Sequence, residues 1–353
     1  MSSESAPSRK RPRVEDGDRE RPSNRRKSDP RKDDDVWLSD GSIVVVAADN
    51  VAFRVHKSTL SLRSEIFRDL FSLPNADEAT AETMDGCPVV RVSDTSSDIR
   101  HLLLVLCCGK NYYHDGDALI AVPFETLASL VRMAHKYAVQ DVLDHALSRL
   151  KKFYTNDLAA WQDPDARARY VAAKDQHALT VVQLARLTNT PPLLPTAFLL
   201  CTKLLATLAR MKQGVPVALG VSSLPVPDQL TIISAREYLL HMCAERTLHL
   251  LAGAPCTACT TLAVCSLTRE APLSSIRDGH AFPAPPLFRR DVLQPMAATL
   301  WGDRWHMFCD NCREALTEAD GKESKWVWRN LPRIFGVKLD RESWPSLPAD
   351  HAT

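Results

Sequence analysis

Residues 40–71 read Asp-Gly-Ser-Ile-Val-Val-Val-Ala-Ala-Asp-Asn-Val-Ala-Phe-Arg-Val-His-Lys-Ser-Thr-Leu-Ser-Leu-Arg-Ser-Glu-Ile-Phe-Arg-Asp-Leu-Phe, and the fold of the first domain follows from them. Ile43 to Val46 form a β-branched run, stiff at χ1 and suited to a pleated, buried surface. Asp49 and Asn50 tolerate left-handed backbone and supply the turn of a hairpin. Val51, Phe53 and Val55 then alternate with Ala52 and Arg54, the period of a second strand. Past His56 the period becomes helical. Leu60 and Leu62 belong to a first short helix, and Ser64 is placed to cap a second, whose Ile66, Phe67, Leu70 and Phe71 share one stripe.

The pattern continues downstream. Ser96 or Ser97 can cap a helix on which Ile99, Leu102, Leu103, Leu106 and Cys107 recur at helical spacing, with Gly109 as its terminator. Pro123 opens the next helix, with Phe124, Leu127, Leu130, Val131 and Ala134 on one face and a break near Val139. A last helix carries Val142, Leu143, Ala146, Leu147, Leu150 and Phe153 inward.

With Phe-Arg-Val-His-Lys at 53–57, Gly-Cys-Pro at 86–88 and Lys-Tyr-Ala-Val at 136–139 in this order, residues 36–154 resemble the BTB/POZ domain in the form common among fungal proteins. The resemblance implies an α+β domain, a short sheet flanked by helices. It also implies a protein-interaction module that self-associates as a homodimer and performs no catalysis. In that family the segment entering the first strand and the first helices form a two-fold interface. The matching positions are Val36, Trp37, Leu38 and Asp40, with His56, Lys57 and the surface up to Leu62. An aromatic such as Trp37 would be the anchor of such a contact.

A length of 353 residues leaves room for two domains and a tail, and 45% hydrophobic residues is ordinary for a globular chain. The formal net charge of +1 argues against nucleic acid or an anionic membrane as the main partner. No apolar run approaches the roughly eighteen residues a bilayer requires, and the charged amino terminus does not read as a secretory signal. The expectation is a protein of the nucleus, the cytoplasm or both, whose ten cysteines are reduced thiols or metal ligands.

Residues 1–35 are charged and nearly free of large apolar side chains, which predicts a disordered tail. Lys10, Arg11 and Arg13, then Arg25, Arg26 and Lys27, form two basic clusters with the pattern of a bipartite nuclear import signal; the other reading is a solubilising mixed-charge tail. Residues 155–252 read as helices broken by proline, ending at Asn189-Thr190-Pro191-Pro192, near Gly214, and after a third apolar-faced run from Ile232 to Leu251. Residues 253–340 form a Cys/Trp-rich, weakly periodic segment, and 341–353 a flexible C-terminus.

Cys256, Cys259, Cys309 and Cys312 make two C-x-x-C pairs, each able to give zinc two thiolates. Together they compose a candidate four-cysteine structural zinc site, with Cys265, His280 and His306 as substitutes and Trp301, Trp305, Trp326 and Trp328 expected around it. The alternative is ordinary reduced cysteines, since about fifty residues separate the pairs where compact zinc modules leave some fifteen to twenty. There is no Gly-rich phosphate loop, no G-x-S-x-G elbow and no H-E-x-x-H. His56, at a strand-to-helix junction, reads as a structural histidine bonding backbone near Ser58 or Thr59.

Two functional classes follow. One is an adaptor that joins a cullin-type ubiquitin ligase and selects a client protein through its C-terminal half. The family's hydrophobic-x-Glu cullin element has only Ala76-Asp77-Glu78 or Thr80-Ala81-Glu82 to match it. The other is a nuclear regulatory scaffold in transcription or chromatin, though no DNA-reading helix or finger is present.

Overall fold

The computed structural model describes residues 29–72, 82–112, 120–208, 221–277 and 292–346. A five-stranded sheet has the order β1 (Arg31–Trp37), β3 (Val51–Val55), β2 (Ile43–Val46), β5 (Cys87–Arg91), β4 (Thr83–Met84). β2 and β3 are the expected hairpin, turning through Asn50 at φ 63°. Ile43, Val45, Phe53 and Val55 face the helices and are fully or nearly fully buried. Val44, Val46 and Ala52 point to the other face, where Trp37, Met84 and Val89 pack over them.

The sheet begins earlier than composition suggested. Arg31 to Asp35 belong to β1, because backbone pairing with β3 requires no apolar side chains. Asp33 is buried there. One of its oxygens accepts from the amides of Asp35 and Val36, and the other meets Arg100 at 2.6 Å.

Behind the sheet lie α1 (Lys57–Arg63), α2 (Glu65–Leu70), α3 (Ser96–Cys108), α4 (Phe124–Lys136) and α5 (Gln140–Phe153). Ser64 caps α2 through the amide of Phe67, and its hydroxyl donates to the Tyr137 carbonyl 2.6 Å away. The cap of α3 is Thr95, not Ser96 or Ser97, with Asp49 from the hairpin turn accepting from the amide and hydroxyl of Ser96. Gly109 ends α3 in the left-handed conformation, at φ 66°.

The helical half adds α6 (Leu158–Gln162), α7 (Pro164–Ala168), α8 (Ala178–Leu187), α9 (Leu194–Leu208), α10 (Val226–Ala252), α11 (Leu262–Arg277), α12 (Ala297–Trp301) and α13 (Asp310–Ile334). A two-residue parallel pair, β6 (Val122–Pro123) with β7 (Val171–Ala172), joins it to the first domain. The hydrophobic core runs without interruption from Val36 through α4, α5, α8 and α9 to Trp344.

The Cys/Trp-rich segment belongs to the helical C-terminal region. α13 buries Cys312, Leu316, Asp320, Ser324, Val327, Trp328 and Leu331, a helical stripe hidden from hydropathy because two of its members are polar. Asp320 is satisfied by Arg246, which approaches to 2.5 Å with both side chains almost wholly buried. The C-terminus is also pinned as far as it is described. Trp344 is fully buried against Trp328 and donates to the Trp328 carbonyl, and Asn156 reaches the Ser343 carbonyl.

Candidate interaction face and cysteine cluster

The expected interface residues divide. Val36 is fully buried in the core of its own chain, which withdraws it from any partner surface. Trp37 is half-buried over the outer face of the sheet, beneath the Lys32 ammonium 4.8 Å from its ring, because Val44 and Val46 leave apolar surface there to cover. Leu38 is half-buried, while Asp40 and Lys57 are exposed. His56 occupies the N-cap position of α1 but its side chain does not cap. That task falls to Ser42, which accepts from the Lys57 amide, and His56 instead faces Asp40 at 3.4 Å. Hydropathy could not separate these roles, since any short polar side chain brought near the helix start can cap it.

α1 and α2 present apolar side chains to solvent. Leu62 is 85% exposed and Ile66 43%, whereas their neighbours Leu60 and Phe67 are fully buried. Ile66 thus leaves the inward stripe that the sequence suggested. The edge strand β1 lies on the same domain and has its outer backbone edge unpaired among the described residues.

The second constellation is sulfur. Cys259, Cys265, Cys309 and Cys312 lie with all four sulfurs within 4.8 Å of one another. Cys259 and Cys309 are 3.8 Å apart, and Cys256, the remaining member of the C-x-x-C pairs, stands 3.5 Å from Cys312. Among the substitute ligands, Cys265 enters the group, His306 is exposed outside it, and His280 lies outside the described residues. Cys309 is the N-cap of α13, Cys312 sits in its first turn, and Cys265 in the first turn of α11.

Backbone amides act on these sulfurs. The Cys309 amide donates to the Cys265 sulfur at 3.3 Å. The Cys309 thiol is drawn down to about 5, first by the backbone of Thr260 and then by that of Cys312. Cys259 and Cys312 are pushed up, foremost by burial, against backbone bonds from Thr261 and Cys256 respectively. Of the four tryptophans expected nearby, Trp301 and Trp305 pack with Phe308 immediately before Cys309. Trp328 belongs to a separate cluster with Trp161 and Trp344, and Trp326 is 43% exposed.

Residues 38–154 match the BTB/POZ domain. The chain carries a BTB/POZ domain. It spans β2 to α5, so β1 starts upstream of the matched stretch, and the domain is a protein–protein interaction module. No curated protein matches the chain. Among the described residues no helix is long and apolar enough to cross a membrane. The basic clusters at Lys10, Arg11, Arg13, Arg25, Arg26 and Lys27 lie outside the described residues, as do residues 73–81, which hold Ala76-Asp77-Glu78 and all but the last residue of Thr80-Ala81-Glu82, the two poor matches to the cullin element.

Proposed function

We propose that the BTB/POZ domain pairs with a second copy of itself across the face of β1, α1 and α2, and that the helical half holds a client protein, making the chain a dimeric adaptor. The carrying observation is Leu62, 85% exposed on a helix whose other apolar residue is fully buried. A side chain that size exposed, with Ile66 at the start of α2 also 43% exposed, is apolar area that association removes from water. A cullin-type ligase is the assembly such an adaptor would serve. The nuclear-scaffold reading draws on the basic tail and has no observation among the described residues to favour it.

Trp37 makes a poor probe of pairing, because its ring covers Val44 and Val46 and its loss would loosen the sheet. Leu62→Asp is the cleaner change. Equilibrium sedimentation is expected to return twice the chain mass for the wild type and the single-chain mass for Leu62→Asp, with equal thermal stability. A wild type that stays at single-chain mass at every concentration sinks the pairing, and stoichiometric cullin recovered with the tagged protein tests the ligase assignment separately.

A further inference from the structure

We infer that Cys259, Cys265, Cys309 and Cys312 form a closed tetrathiolate site for one zinc ion, and that Cys256 stands outside the ligand set as a neighbour of Cys312. The distances are those of coordination. Four thiolates about 2.3 Å from a central zinc sit roughly 3.8 Å from one another at the corners of a tetrahedron. The Cys259 to Cys309 separation is 3.8 Å, and no pair in the quartet exceeds 4.8 Å. A disulfide needs about 2.05 Å, and all five thiols of the cluster are free.

The choice of Cys265 over Cys256 rests on surroundings as well as spacing. Cys256 is not within the mutually close quartet, whereas Cys265 is fully buried inside it, accepts from the Cys309 amide and shares a hydrogen bond with the Thr261 hydroxyl, both at 3.3 Å. Cys256 meets the group at Cys312, its sulfur 3.5 Å away. Each coordinated thiol releases its proton to solvent, so four thiolates and a dication leave the site with two negative charges. The N-termini of α11 and α13 converge on it from two sides, and the Arg269 guanidinium interacts with Cys312. Four thiolates leave no position for a substrate, and Cys265 and Cys312 are buried; the ion is structural. Its effect is to fasten the start of α11 to the start of α13.

The test is metal analysis of full-length protein purified without chelator, with zinc itself as the probe. About one zinc per chain is expected in the wild type and in Cys256→Ser, and less than about half in Cys265→Ser. A wild type below half a zinc overturns the site, and retention by Cys265→Ser with loss in Cys256→Ser overturns the ligand set. Should Cys265→Ser fail to fold, cobalt substitution of the wild type and of Cys256→Ser decides. Both should show the same strong visible bands of a tetrahedral tetrathiolate, and absent or altered bands in Cys256→Ser refute the assignment. Mass loss from disulfide formation in protein kept under reducing purification is equally fatal to it.

Discussion

Removing Asp320 should cost far more than its exposed helical neighbours suggest. Its carboxylate sits under α12 with one oxygen on Arg246 Nε at 2.7 Å and Nη2 at 2.5 Å, and the other on the Met296 and Ala297 amides at 2.6 and 3.0 Å. Asp320→Ala leaves a guanidinium 2% exposed, with the Val292 and Gln294 carbonyls as its remaining partners among the described residues, and orphans two amides at the start of α12. Breaking a buried pair from one side typically costs about 3–5 kcal/mol. The exposed Lys322–Glu318 pair on the same helix, at 2.8 Å, should contribute far less, because water screens both charges. For a cooperative unit of some 150–250 residues each kcal/mol shifts the midpoint by roughly 2–4 °C, so a fall of roughly 6–20 °C is expected. Calorimetry and urea titration of Asp320→Ala, Glu318→Ala and Arg246→Met/Asp320→Leu give the comparison. The double variant, which removes both charges, should recover most of the loss. A change in Asp320→Ala no larger than that in Glu318→Ala would show that water reaches this pair, and the account of α13 given above would then be wrong.

Asp98 accepts from Ser129 and from Arg132, each at 2.6 Å; burial raises its pKa, but these two bonds more than offset it and hold the group below its ordinary 3.8. A depressed carboxylate contributes stability that is complete above the unfolded value, about 3.9, and is lost as pH falls through the folded one. Wild type should therefore exceed Asp98→Asn by about 1–2 kcal/mol at pH 7, with the gap closing below about pH 4 in denaturant titrations; a gap of the same size at pH 2.5 refutes the assignment. Trp344→Ala empties a fully buried site between Trp328 and the helical core and should cost about 3–5 kcal/mol, read by thermal unfolding. An unchanged midpoint would mean that the C-terminal turn is not docked in solution.

The BTB/POZ stretch was legible because its information is local. Ile43 to Val46 can hardly be anything but a buried strand, and Asn50, Ser64 and Gly109 each do what their backbone or side-chain chemistry favours at a turn, a cap and a stop. The errors there are equally local. Thr95 stood one residue from the predicted cap, Ile66 turned outward, and β1 reached back to Arg31 through backbone bonds that no side-chain pattern reports.

The C-terminal half was less legible. α13 carries Asp320 and Ser324 in the stripe it buries, and they read as surface until Arg246, 74 positions away, is known to lie opposite. Cysteine types and C-x-x-C spacing are properties of the chain, so the possibility of thiolate chemistry was written there. Which thiols meet depends on how α11 and α13 bring their first turns together, across a separation of about fifty residues that spacing rules do not cover. Patterning records how each segment prefers to bury itself. It cannot record which distant polar or sulfur groups will satisfy one another, because that energy exists only after the chain has closed on itself.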